Sequence, residues 1–200
     1  MRDAGHSCVY EPAEDTWLLM EALHHGYPVM LDWCGSISSV ADIGSGTGVI
    51  AAHLLSNLGL KTVAVDVSPY AIEASEEALG QRPEALIVYC NAGSCLRRVD
   101  LAVFNPPYLP EGDPEEEALV AGLCEGWFRL ALTSPEAMRE MCINASRAAR
   151  CGVVAVYSTI SPVDLEECLR RQGLRIVLGI EEPFFFERLK AIVAIRGAWS

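Results

Sequence analysis

The segment from Ser38 to Asp66 restricts the fold more than any other part of the chain. Ser38-Ser39-Val40-Ala41-Asp42-Ile43 reads as a short strand, Gly44-Ser45-Gly46-Thr47-Gly48 as a glycine turn, and Val49 to about Leu58 as an apolar helix. Lys61-Thr62-Val63-Ala64-Val65-Asp66 is then a second strand that ends in an acid. Strand, glycine turn, helix and strand make the opening unit of a parallel, nucleotide-binding α/β sheet. The remainder repeats the alternation. A helix opens at Ser68-Pro69, with a capping serine and proline at its first position, and runs to about Leu79. Strands are expected at Leu86–Cys90, Val99–Phe104, Val153–Tyr157, Leu174–Ile180 and Phe184–Ile195, with helices over 134–149 and 162–171. This pattern implies an α/β fold, a doubly wound seven-stranded and mostly parallel sheet whose last strand is antiparallel, turned back at Glu182-Pro183. One domain is expected, with residues 37–200 forming the sheet and residues 1–36 an N-terminal extension and helix packed on it. Pro12 suits the first turn of that helix, Glu14 and Asp15 suit its positive end, and Leu18, Leu19 and Leu23 form the buried stripe.

Glycines at 44, 46 and 48 depart from the G-x-G-x-x-G fingerprint of dinucleotide folds, because position 49 is valine. Preceded by Asp42 and followed after about twenty residues by Asp66, the pattern suits S-adenosylmethionine better than NAD. Asp42 is expected to face the methionine end of that cofactor, Gly44 and Gly46 to lie along its backbone, and Asp66 to accept from the ribose hydroxyls. Asn91 and Ala92, just after the third strand, fall where an adenine ring would lie.

The fourth strand leads into Asn105-Pro106-Pro107-Tyr108. Two prolines fix φ and remove two backbone donors, leaving the carbonyls of Asn105 and Pro106 as fixed acceptors beside the Asn105 side-chain oxygen. Such a group of acceptors fits a planar NH2 group, in an amide or on a nucleobase, whose nitrogen lone pair is conjugated and poorly nucleophilic until localised. Tyr108 offers a flat face to it. Tyr10, Glu11, Asp15 and Thr16 form a second polar cluster where the first helix starts.

A formal charge of −12 argues against a protein that binds by neutralising phosphates. Arg97-Arg98 and Arg170-Arg171 read as solvated ends, and Glu111 to Glu117 as an acidic flap near the substrate. No apolar run spans a bilayer, and residues 1–6 lack the apolar core of a signal peptide, so the chain is expected to be cytosolic. No pair of the eight cysteines has the C-x2-C spacing of a zinc ribbon, so no metal site is expected. Most cysteines should be small buried hydrophobes, with one or two disulfides if the source is a hyperthermophile.

The run Val9 to Thr16, the Asp42–Gly48 loop, Asp66 and Asn105 to Tyr108, in that order, resemble a class I S-adenosylmethionine-dependent methyltransferase. More narrowly they resemble the HemK family of release-factor glutamine N5-methyltransferases, in its archaeal and eukaryotic branch. That resemblance implies a glutamine substrate within the Gly-Gly-Gln motif of a class 1 translation termination factor. It also implies Thr16, Asp42, Gly44 and Asp66 as cofactor contacts, with Asn105, Pro106 and Tyr108 as the catalytic clamp. Tyr10, Glu11 and Pro107 are expected on the substrate side of that clamp, and Asn105 is expected to touch the cofactor as well. The adenine-side position, usually acidic in the family, is Asn91. A small zinc-binding activator would cover the apolar edge strand Leu86–Cys90. The rival readings are a nucleic-acid N-methyltransferase using the same clamp, and a non-catalytic partner-binding protein stabilised by cofactor.

Overall fold

The computed structural model describes residues 8–109, 134–185 and 187–197. Its elements are α1 (Glu14–Cys34), β1 (Ser39–Ile43), α2 (Val49–Asn57), β2 (Lys61–Asp66), α3 (Pro69–Leu79), β3 (Ala85–Tyr89), a 3-10 turn at Asn91–Gly93, β4 (Val99–Phe104), α4 (Pro135–Ala148), β5 (Ala149–Ser158), α5 (Leu165–Arg171), β6 (Leu174–Phe184) and β7 (Glu187–Arg196). The strands form one seven-stranded sheet in the order β3-β2-β1-β4-β5-β7-β6. Strands β1 to β5 run parallel, and β7 runs antiparallel to both β5 and β6. The doubly wound sheet expected from the alternation is therefore present.

Burial explains why the central strands are almost continuously apolar. In β4 the residues Leu101, Ala102, Val103 and Phe104 are all fully buried, so both faces of that strand are covered. Asp100, the polar residue in this run, lies near the strand's start, where its carboxylate accepts from Ser38, Ser39 and Arg150.

Helix α1 starts at Glu14 rather than at Pro12, with Ala13 at the cap and the Thr16 hydroxyl accepting from the Ala13 N–H at 3.4 Å. Leu19, Leu23, Gly26 and Met30 recur at helical spacing on its buried face, and Leu18 and Ala22 join them. Gly26 lets that face sit directly on β7, where an added Cβ would stand 2.5 Å from Val193 Cγ2. Pro28 is tolerated inside the helix because it lies on the exposed side, where the carbonyl it leaves unpaired can meet water.

Two expectations are corrected. The final hairpin turns at Phe185, which has φ 46°, and Pro183 lies inside β6 opposite Arg188. Proline fits there because, among the described residues, β6 is the outer strand with no second neighbour to serve. The cysteines are not mainly isolated hydrophobes either. Cys34–Cys151, Cys90–Cys95 and Cys142–Cys168 are disulfides, Cys8 is also disulfide-bonded, and among the described residues no cysteine is free. Spacing along the chain could not show this, because the sheet brings Cys34 and Cys151, 117 positions apart, to a Cα separation of 5.6 Å. Among the described residues no helix is long and apolar enough to cross a membrane.

Candidate active site

Parallel register sets the site. Ile43 pairs with Val65 on one side and with Phe104 on the other, so β2, β1 and β4 end side by side. The segments at those ends are the glycine loop, Asp66-Val67-Ser68, and Asn105 to Tyr108. Winding of the sheet reverses between β1 and β4, the position at which open α/β sheets leave a crevice. A cavity of about 200 Å³ occupies it. Its lining includes Tyr10, Thr16, Gly44, Gly46, Asp66, Asn91, Ala92, Asn105, Pro106, Pro107 and Tyr108, each singled out from sequence.

On one side of the cavity Asp66 holds the glycine loop. Its carboxylate accepts from the Gly46 N–H at 3.0 Å and the Ser68 N–H at 2.9 Å. Burial raises its pKa above the ordinary aspartate value, and these backbone donors pull it back. A carboxylate has about four lone-pair sites, so capacity is left for a diol. Gly48 has φ 76°, and a Cβ on it would stand 2.9 Å from the Ser75 Cα. Gly48→Ala therefore combines a left-handed backbone with a clash between α2 and α3, and should cost about 2–4 kcal/mol. Chemical denaturation checks this; a loss below about 0.5 kcal/mol would contradict the packing described.

Asp42 and Glu11 do not line the cavity. Glu11 is exposed, whereas Asp42 is fully buried, and neither of its carboxylate oxygens has a hydrogen-bond partner among the described residues. Burial drives the Asp42 pKa up to about 7; the Ala51 N–H at the start of α2 opposes that, and the Asp66 charge adds to it. The folded state thus holds a proton that the unfolded chain releases near pH 4. Stability conferred by this group is complete below that pH and is lost as pH rises toward 7. Asp42→Asn should change little at pH 4 and gain a few kcal/mol above pH 7, measured by denaturation at both. Equal effects at the two pH values would refute the assignment.

Asn91, an exposed part of the cavity lining, donates from its Nδ2 to Glu140 Oε2 on α4 at 3.2 Å. Ala92 beside it has φ 47°, and the Cys90–Cys95 disulfide closes this segment.

The opposite wall carries the clamp. Asn105 Nδ2 donates to Asp15 Oδ2 at 2.8 Å, and the Tyr108 hydroxyl donates to the same oxygen at 2.9 Å. Asp15 is only 3% exposed. Burial, and then the Asp15 carboxylate, push the Tyr108 pKa well above its ordinary value, so the phenol stays a donor. Asn105 Oδ1 is buried with no hydrogen-bond partner among the described residues. Sequence reasoning placed Asp15 at a helix start and missed its contact with the clamp. It also missed Met141, Phe184 and Glu187, which line the cavity from α4 and the final hairpin. An acid inside the Tyr10–Thr16 cluster was the available signal for Asp15; for the other three there was none. The Glu111–Glu117 flap lies outside the described residues.

Residues 15–125 match the family model "Methyltransferase small domain". The chain belongs to that family. Among curated relatives of this methyltransferase domain, the methyltransferase HEMK2 of Mus musculus is 33% identical over 127 residues, covering 60% of this chain and 56% of the mouse protein. A release factor glutamine methyltransferase of Rhodospirillum rubrum is 34% identical over 108 residues, covering 52% of this chain and 31% of that protein. The chain thus spans little more than half of the first relative and about a third of the second. These relatives bear out the HemK resemblance read from the N-terminal run, the glycine loop and the Asn-Pro-Pro-Tyr segment. Among solved structures, the Mtq2–Trm112 complex of E. cuniculi, described as methylating the eRF1 translation termination factor, superposes with a TM-score of 0.64 at 22% identity. It covers 94% of this chain and 99% of the other, which supports the fold.

Proposed function

We propose that the chain is an S-adenosylmethionine-dependent N-methyltransferase acting on the side-chain amide of the glutamine in the Gly-Gly-Gln motif of a class 1 translation termination factor, in the cytoplasm. The observation that carries this reading is the buried, unpartnered Asn105 Oδ1 at the end of β4. A buried acceptor without a donor costs about 1–3 kcal/mol, and a substrate NH2 group would remove that cost on binding. The Asn-Pro-Pro-Tyr wall, the names of the relatives and the acidic net charge favour a protein amide over a nucleobase.

The donor side fits the proposed cofactor: the Asp66 carboxylate, already tied to Gly46 N, has capacity for ribose hydroxyls, and Gly44 and Gly46 leave the backbone open. When bound, S-adenosylmethionine supplies a methyl group activated on a sulfonium sulfur. What the chain must do is prepare the acceptor. Asn105 Oδ1 takes one amide hydrogen and the Pro106 carbonyl the other, drawing the nitrogen lone pair out of conjugation, while Tyr108 and Tyr10 confine the planar group. One of these hydrogens is released as a proton to solvent once the nitrogen carries the methyl, because neither acceptor oxygen is basic enough to keep it. Positioning and fixed dipoles supply most of the acceleration.

Labelled donor incubated with a termination factor, with its Gln→Ala variant, with DNA and with tRNA tests the reading, followed by mass spectrometry of the modified residue. Label confined to the Gly-Gly-Gln glutamine is expected; label on nucleic acid would transfer the proposal to the rival. Asp66→Ala should weaken S-adenosylhomocysteine binding by tenfold or more in calorimetry while the melting curve stays cooperative. Unchanged affinity would remove Asp66 from the donor site. A small activator subunit, zinc-binding by the family resemblance, is proposed to cover β3, the outer strand whose Leu86 and Tyr89 are 59% and 62% exposed.

A further inference from the structure

Asp15 binds neither of the proposed ligands, yet it is buried and touches two of the three clamp residues, Asn105 and Tyr108. We propose that Asp15 is a positioning residue that decides which end of the Asn105 amide faces the acceptor, and thereby makes the pocket select a side chain ending in NH2 over one ending in a carboxylate. This deepens the proposed amide-methylation reading and rests on it.

A side-chain amide has two nearly isosteric ends, one donating and one accepting, and its own shape does not choose between them. The neighbour makes the choice. Oδ1 of Asp15 accepts from the Thr16 N–H at 2.6 Å, while Oδ2 accepts from Asn105 Nδ2 at 2.8 Å and from the Tyr108 hydroxyl at 2.9 Å. A carboxylate has only acceptors to offer, so Asn105 must meet it with its NH2 end. Its oxygen is then left on the other side, where it is buried and has no partner. The reversed amide would press oxygen against carboxylate and point NH2 at the acceptor, an arrangement that suits glutamate. Tyr108 donates to the same Oδ2, so one atom sets both the polar and the flat part of the clamp.

Asp15→Asn tests this with almost no change of shape. The Thr16 N–H still requires an oxygen, so the new amide keeps its oxygen there and places NH2 where Oδ2 was. That NH2 calls for the Asn105 oxygen, and Asn105 should turn over. Turnover on a Gly-Gly-Gln peptide should fall at least 100-fold, with S-adenosylhomocysteine affinity held within threefold. The ratio of affinities for Gly-Gly-Gln and Gly-Gly-Glu peptides should shift at least tenfold toward glutamate. Turnover kept by the variant, or lost with that ratio unchanged, overturns the proposal and leaves Asp15 a purely structural acid. A further measurement needs no substitution: NMR coupling across the hydrogen bond from Asn105 Nδ2 to the Asp15 carboxylate in the native chain. Its presence upholds the orientation and its absence overturns it. A native chain that shows the coupling but does not methylate the glutamine peptide would refute the amide-methylation reading alone.

Discussion

Asn105→Ala is expected to abolish most turnover, by about 10²–10³-fold, while S-adenosylhomocysteine binding changes by no more than about threefold. The split arises from where the side chain points. Asn105 Nδ2 is bound to Asp15, and Asn105 Oδ1 is the acceptor left for a substrate hydrogen. Alanine removes that acceptor but leaves the glycine loop, Asp66 and the fixed Pro106 carbonyl. It also leaves Asp15 with the Tyr108 hydroxyl, the Thr16 N–H and the Thr16 hydroxyl as donors, so the wall keeps three of its four hydrogen bonds. Steady-state kinetics on the termination factor, with calorimetry for the donor product, separates the two quantities. An equal loss in both would mean that Asn105 serves the donor and that the clamp has been misplaced.

Loss of the Cys34–Cys151 bridge should have the largest effect on stability. In the chain-entropy account, a disulfide closing a loop of 117 residues constrains the unfolded chain by about 5 kcal/mol, as an upper value. Replacing both cysteines by alanine should cost about 3–5 kcal/mol and lower Tm by roughly 10 °C or more. Cys90–Cys95, separated by 5 positions, should be worth only about 2 kcal/mol in stability. Calorimetry of the two double variants, with and without a dithiol reductant, makes the comparison. Equal losses, or no loss on reducing the native chain, would contradict the pairing.

The sheet was legible because its signals are local. Apolar runs ending on Gly44 to Gly48, Asp66 and Asn105 mark strand ends, and in a parallel sheet strand ends meet at one edge. The features that failed to show depended on distance or on two local cues in conflict. At the last hairpin Glu182-Pro183 looks like a turn, but both residues lie in β6, whose outer position accommodates the proline, and the chain turns at Phe185 instead. The cysteine pairs depend on topology rather than spacing. Asp15 reads as an acid suited to a helix start, and its bond to Asn105, 90 positions away, appears only once α1 is seated. Asp42 looked like a ligand contact because it precedes the glycines, but as the penultimate residue of β1 its side chain is fully buried.

The seating of α1 also has a consequence for synthesis on the ribosome. Helix α1 is translated well before the surface that receives it, which belongs to β5 and β7. A nascent chain that has not yet reached residue 187 can form β1 to β4 and with them the glycine loop and Asp66, yet Asp15 has no seat from which to grip Asn105. The half of the site that would bind the donor can therefore mature before the half that would take the acceptor.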